Sequence, residues 1–172
     1  AVRTIRADGV DALTLRDVGA HLRVSRTALY RHFADKQALL VAVATEGFRA
    51  FRKELADAWE GAGRGREGFL AQGRAYIRFA MENPSHYRVM FGGYVAKGDC
   101  GAELAAESDA GFRVLVDALI ELQEAGLRVV DPATAAAEAD VIMILAPDHV
   151  QAALYKESIE PNLQEGDALF FA

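Results

Sequence analysis

Leu-Arg-Asp-Val-Gly-Ala-His-Leu-Arg-Val-Ser-Arg-Thr-Ala-Leu-Tyr-Arg-His-Phe-Ala-Asp-Lys, residues 15–36, is the stretch on which the fold of this chain turns. It spells a short helix, a tight turn and a second helix whose outer face is basic and hydroxylated. Thr14 is a good N-cap for a helix starting at Leu15, because its hydroxyl can accept from a backbone N–H that has no partner within the helix. Leu15, Val18 and Leu22 recur at i, i+3 and i+7 and form one apolar stripe. Ser25 caps the second helix, in which Ala28, Leu29 and Phe33 point inward while Arg26, Thr27, Tyr30 and Arg31 face out. This is the layout of a helix-turn-helix, whose second helix enters the major groove of DNA. An ordinary amphipathic helix pair shares the apolar spacing. It gives no reason for an outer face made almost wholly of phosphate- and base-contacting side chains.

Residues 24–40, Val-Ser-Arg-Thr-Ala-Leu-Tyr-Arg-His-Phe-Ala-Asp-Lys-Gln-Ala-Leu-Leu, resemble the recognition helix and following turn of tetracycline-repressor-type (TetR) transcription regulators. The shared pattern is a serine cap, a Leu-Tyr-x-His-Phe core, a short acidic-lysine turn and a leucine pair. The resemblance runs from about residue 2 to residue 51. Two positions depart from it: Gly19, where the family often has alanine, and Arg23, where its turn often has glycine. Gly19 weakens its helix by somewhat under about 1 kcal/mol relative to alanine, and Arg23 is mildly strained if the turn needs a positive φ.

The resemblance implies a map of DNA contacts. Arg26, Thr27 and Arg31 reach base edges or adjacent phosphates, where an arginine can hold guanine through two hydrogen bonds. Tyr30, His32, Thr14 and Arg16 contact the sugar-phosphate backbone, which sets register without reading sequence. Lys36, near the start of the next helix, reaches a phosphate, and Ser25 holds the N-terminus of the recognition helix. For His32 a packed or capping role is an equal alternative. The family also implies a two-fold dimer on a near-palindromic operator, acting as a repressor and released by a small apolar effector.

The net charge of −6 argues against a nucleic-acid partner until its distribution is considered. Residues 1–53 carry ten Lys/Arg against five Asp/Glu, whereas residues 54–172 carry nine against twenty. A basic end on an acidic body suffices, because phosphate attraction acts over about a Debye length of roughly 10 Å. The single cysteine, Cys100, excludes an internal disulfide framework and a cysteine-rich metal site. No apolar run approaches the roughly 18 residues needed to span a membrane, and no signal peptide is evident, which points to the cytoplasm. The family normally has a longer first helix than residues 2–7 supply, so a trimmed N-terminus is expected.

From Lys36 a helical pattern runs to about Trp59, with Leu39, Leu40, Val43, Phe48, Phe51 and Leu55 as its apolar side. Residues 61–68, Gly-Ala-Gly-Arg-Gly-Arg-Glu-Gly, satisfy G-x-G-x-x-G through Gly63, Gly65 and Gly68, but they follow a helix where a dinucleotide loop needs a strand. They read as a flexible linker. Residues 67–82 form a further helix ended by Asn83-Pro84, and a long helix is expected over 102–125 with Leu104, Phe112, Leu115, Val116, Leu119 and Leu122 inward. The aromatic and Met-rich segment 85–94 resembles one branch of TetR-type regulatory domains. Tyr76, Phe79, Met90, Phe91, Tyr94 and Phe112 are candidates to line an apolar effector cavity, with His86 and Arg88 to orient a ligand. For any one of the six apolar side chains an ordinary core position is the more frequent alternative.

After Gly126 the texture changes. Strand-like Leu-Arg-Val-Val (127–130) precedes an alanine-rich helical stretch. Asp-Val-Ile-Met-Ile-Leu-Ala (140–146) has a buried-strand pattern, Pro147 opens a helix, and Asp-Ala-Leu-Phe-Phe-Ala (167–172) follows. Strand, helix, strand, helix, strand is a piece of a doubly wound domain. A helix over 133–146, in the place of a dimerisation helix, is the alternative. The words Ala-Asp-Val-Ile-Met-Ile-Leu-Ala-Pro-Asp and Leu-Tyr-Lys-Glu-Ser-Ile-Glu-Pro-Asn-Leu resemble the NADPH-binding domain of ketol-acid reductoisomerase over residues 127–172. The family's glycine-rich phosphate loop and magnesium-binding domain are missing from this segment, so it implies a fusion or a non-catalytic fragment.

The expected fold is therefore mainly all-α, with a helix-turn-helix head (1–53), a helical regulatory domain (54–126) and a tail (127–172) forming a partial α/β unit. No catalytic constellation emerges, since His21, His32, His86 and His149 are scattered and no metal-ligand spacing is present. The expected activity is regulatory and non-enzymatic, with no cofactor or metal. A reductoisomerase-related fragment, and a monomer that binds DNA weakly, are the competing readings.

Overall fold

The computed structural model describes the chain apart from residues 23–29, 96–100, 129, 145, 147 and 172, and apart from the side chains of residues 22, 143, 148, 149, 170 and 171. Its helices in the first part are α1 (Val2–Asp8), α2 (Leu15–Leu22), α3 (Lys36–Gly61), α4 (Gly65–Glu82), α5 (Pro84–Phe91) and α6 (Gly101–Glu124), and residues 30–32 are also helical. The chain divides into two units, Ala1–Ala125 and Gly126–Ala172. The fold is mainly helical, as the sequence implies.

The first unit is organised by α3. Asp35 caps it, its carboxylate accepting from the Ala38 N–H at 2.8 Å, and α4, α5 and α6 all pack against it. Toward its N-terminal half Leu39, Leu40, Val43 and Phe48 join Ile5, Val10, Leu13, Leu15 and Val18 in one apolar cluster, which also takes in Val89 and Leu104. Further along, Phe51 and Leu55 meet Ala75 and Phe79, and Trp59 meets Ala118 and Leu122. The expected boundary at residue 53 falls within α3, so one uninterrupted helix carries both the first 53 residues and the start of the next segment. Ser85 on α5 donates to the Val2 carbonyl at 3.1 Å and ties α1 to the body. At the α3–α5 crossing Gly47 is required: a Cβ there would stand 2.6 Å from Met90 Sδ.

Two expectations are corrected. The glycine-rich stretch 61–68 is mostly helix, with a tight turn where a flexible linker was expected. α3 continues through Gly61, Gly63 and Arg64 take positive φ of 81° and 63°, and α4 begins at Gly65. Arg64 is held in this strained conformation by ion pairs with Glu60 and Glu121 and by its position 5.9 Å over the Trp59 ring. Gly68 allows the close approach, since a Cβ would meet the Trp59 ring at 2.8 Å. On α6 the buried seam is Leu104, Gly111, Ala118 and Leu122. Phe112 is 65% exposed and Leu119 39%. Both lie off the narrow seam that α6 presents to α3, which an apolar period alone does not disclose.

The second unit contains α7 (Pro132–Glu138), β1 (Val141–Ile144), α8 (Asp148–Leu154) and β2 (Ala168–Phe171), with a π-turn over Tyr155–Ile159 and a 3-10 turn over Glu160–Asn162 after α8. β1 and β2 pair in parallel, Val141 opposite Ala168 and Ile144 opposite Phe171, so the Val-Ile-Met-Ile run is a strand. Leu127, Arg128 and Val130 lie in no strand, and the expected three-stranded piece has two strands among the described residues. The reason is local. Arg128 is bound to Glu138, and Asp131 already caps α7 by accepting from Thr134 N at 3.0 Å. The core of this unit is Ala136, Ile144 and Ile159.

Candidate nucleic-acid interface

The head builds its outer face over a buried base. Leu13, Leu15 and Val18 are 1%, 7% and 3% exposed, which turns Thr14, Arg16 and Asp17 to solvent. Thr14 Oγ1 accepts from the Asp17 N–H at 3.2 Å and donates to the Asp17 carboxylate. Its capping role is thus realised, and its hydroxyl is engaged within the head. Tyr30 is 45% exposed, and Arg31 and His32 are exposed beside it on the helical residues 30–32, while Phe33 is half-buried. Ser25, Arg26 and Thr27 lie outside the described residues, as do Arg23, Ala28 and Leu29, and Cys100 in the later loop.

Lys36 has a structural bond that no local pattern announces. Its ammonium donates to the Asp11 carbonyl at 2.9 Å, across 25 positions of sequence, and ties the start of α3 to the turn after α1. An ammonium has three donors, so this bond leaves donors for an anion.

In the body the candidate effector residues divide. Tyr76, Phe79 and Phe91 belong to a ring network with Phe51 and Tyr87: Phe51 meets Tyr76 at 5.1 Å and Phe79 at 5.2 Å, and Tyr87 meets Phe91 at 4.7 Å. The Tyr76 and Tyr87 hydroxyls stand 3.0 Å apart, and burial followed by that hydrogen bond pushes the Tyr76 phenol well above its ordinary range. Phe79 is 1% exposed and Phe91 47%. Met90 packs on this network and on the head cluster, and Tyr94 on the head cluster. His86 Nε2 is buried without a hydrogen-bond partner and lies 3.9 Å from Glu46 Oε2. Arg88 is exposed. Phe112 does not join the others, being open to solvent on α6.

Sequence reasoning missed Gln72. It is wholly buried on α4, donates to the Val114 carbonyl at a long 3.5 Å, and leaves its own Oε1 without a partner. A lone glutamine on an apolar helix gives no such signal. Among the described residues no group of three or more His, Cys, Asp or Glu could hold a metal, and no described helix is long and apolar enough to cross a membrane.

Two protein families match this chain. Residues 1–43 match the bacterial regulatory proteins of the tetR family, and residues 89–172 match the NADPH-binding domain of acetohydroxy acid isomeroreductase. The second match starts well before residue 127 and takes in the end of α5 and all of α6. The ketol-acid reductoisomerase of Saccharopolyspora erythraea is 46% identical over 83 residues, and that of Kocuria rhizophila 68% identical over 47. The chain spans only 25% and 14% of those two proteins. Among solved structures, a protein of unknown function from Rhodococcus sp. RHA1 is 33% identical with a TM-score of 0.66, covering 76% of this chain and 68% of its own. A TetR family transcriptional regulator, PfmR, from Thermus thermophilus has a TM-score of 0.58 at 23% identity, covering 76% of this chain and 72% of its own, and so shares the fold.

The reductoisomerase likeness raises the question of NADPH. A dinucleotide site needs a strand, a glycine-rich turn and a helix opening at the phosphates. Here Gly92 and Gly93 follow helix α5, and the described strands are β1 and β2, both later in the chain. The described residues do not fit the cofactor. Residues 1–43 are thus a tetR-family head, the chain as a whole is similar to the Rhodococcus protein of unknown function, and residues 89–172 are similar to the reductoisomerase NADPH-binding domain.

Proposed function

We propose that this chain is a sequence-specific DNA-binding transcriptional regulator, working in the cytoplasm as a repressor released by a small apolar effector. The observation that carries the reading is the head: Arg16, Tyr30, Arg31 and His32 project from a base of buried Leu13, Leu15, Val18, Leu39 and Leu40, in the tetR-matched part of the chain. Arg26, Thr27 and Arg31 read bases. Thr14, Arg16, Ser25, Tyr30, His32 and Lys36 position the phosphate backbone. The operator is near-palindromic and is held by a two-fold dimer.

Release follows from α3. The helix is part of the head cluster through Leu39, Leu40 and Val43 and part of the ring network through Phe51 and Leu55. An effector seated among Tyr76, Phe79, Met90 and Phe91, with His86 and Tyr94 nearby, displaces α5 where it crosses Gly47 and so tilts the head. Half-sites lie about 34–36 Å apart, so a small change in head separation abolishes simultaneous docking. Residues 1–53, 54–126 and 127–172 then act as reader, sensor and appended tail.

Selection of bound duplexes from a random DNA pool at fixed moderate salt tests this. An enriched palindrome is the expected result, and recovery of unselected DNA overturns the reading.

A further inference from the structure

On the first unit, two helices pack against α3 with one face and leave the opposite or flanking face apolar in solvent. On α4 these residues are Leu70, Ile77 and Met81, 45%, 61% and 76% exposed; on α6 they are Phe112, Leu119 and Ile120, 65%, 39% and 48% exposed. On α4 the spacing of 7 and 4 puts all three on one side, opposite buried Gly68, Gln72, Ala75 and Phe79. Together these two stripes expose on the order of 700 Å² of side chain, near the roughly 800 Å² per partner of a stable interface.

The charges around the stripes differ in sign. Beside the α4 stripe stand Arg66, Glu67 and Arg74, exposed and without an ion pair among the described residues, so this face carries a net positive charge. On α6, Glu103, Glu107 and Glu121 are engaged by Arg49, Arg52 and Arg64. Asp109 is paired with Arg113, and Asp117 and Glu124 remain exposed without an ion pair among the described residues. Two copies of α6 set face to face would bring like charges together, whereas α4 of one copy against α6 of another brings arginine to carboxylate.

We infer that the Leu70–Ile77–Met81 face of α4 in one copy docks on the Phe112–Leu119–Ile120 face of α6 in a second copy, twice about a two-fold axis. Such a contact is isologous: each chain offers the same pair of faces, and every residue contact occurs twice. The occupant is a second copy of this chain because the two faces complement each other in charge and their area meets what a dimer needs. This deepens the dimer of the proposed function and rests on it.

The test is mass in solution, measured on the full chain by light scattering. The wild type is expected at twice 18.6 kDa. Ile77→Glu on α4 and Phe112→Lys on α6 are each expected at the mass of one chain, with helical circular dichroism unchanged. An equimolar mixture of the two variants is expected to return to the two-chain mass. In that mixture one contact is native and the other sets glutamate against lysine. A one-chain wild type overturns the inference, including the case in which the tail covers these stripes. So does a variant that keeps the two-chain mass while folded, or a mixture that fails to recover, as pairing α4 with α4 would require. Loss of helicity in a variant moves the test to Met81→Glu and Ile120→Lys, read in the same way. Failure of the DNA reading is separate: a two-chain wild type that selects no DNA sequence leaves the interface standing and sinks the regulator.

Discussion

The two units show what the same kinds of apolar words achieve in different company. In the first, α3 provides one long surface on which α4, α5 and α6 bury Leu55, Ala75, Phe79 and Val89 to 1% exposure or less. In the second, two four-residue strands and short helices gather around Ala136, Ile144 and Ile159. Parallel strands normally lie buried on both faces within a larger sheet, and Val141 on β1 is 64% exposed. Among the described residues this reductoisomerase-like segment forms two strands and short helices, with no further strand to cover them. The lesson is that local patterning sets strands and helices even where few neighbours supply a core.

The sharpest way to break the contrast is to make one large-to-small cut in each unit. Ile159→Ala and Leu55→Ala each remove buried methyl groups, at about 2–5 kcal/mol. The second unit has so few buried neighbours that Ile159→Ala is expected to unfold residues 126–172 outright. Leu55→Ala lowers the denaturant midpoint of the first unit and leaves it folded. Hydrogen exchange along the chain, read with a denaturant titration, separates these results; equal protection loss in both units would erase the contrast.

A smaller effect tests how tightly α3 and α4 are joined. Gly68→Ala forces a Cβ against the Trp59 ring and carbonyl, with an overpacking cost of about 1–3 kcal/mol. The first unit alone should lose thermal stability, and an unchanged melting temperature would mean that the turn over Gly63 and Arg64 yields freely.

The smallest effect is electrostatic. The hydrogen bond from Arg49 holds the Glu107 carboxyl below its ordinary range. For a depressed carboxyl the contribution to stability is fully present above the unfolded value and is lost as pH falls through the lowered one. Glu107→Gln is therefore expected to melt slightly below the wild type at neutral pH and to converge with it in strong acid. A difference that persists in acid would assign the effect to packing.

Much of the framework beneath the candidate site was legible because capping and helical period are local. Thr14 and Asp35 hold their helix starts as their residue types demand, and Lys36 through Leu55 bury the expected side of α3. The helix over 102–125 was also visible, but its inward face was not. Which of Phe112, Leu115, Val116 and Leu119 is covered depends on how far around α6 its neighbours reach. Gln72 was invisible for the same reason, since a glutamine is buried only when two helices close over it.

By itself the sequence determined the helical class, the helix-turn-helix spacing, the basic head on an acidic body, and the reductoisomerase likeness of the tail. These rest on chain-local properties: residue charge, capping chemistry and the period of apolar side chains. Tertiary structure alone decided that Lys36 is anchored to Asp11, that the glycine run closes as a turn against Trp59, that Leu127, Arg128 and Val130 lie in no strand, and that two apolar stripes on α4 and α6 stay bare. Each of these depends on which surfaces meet across tens of residues, and packing is a property of the pair of surfaces rather than of either segment.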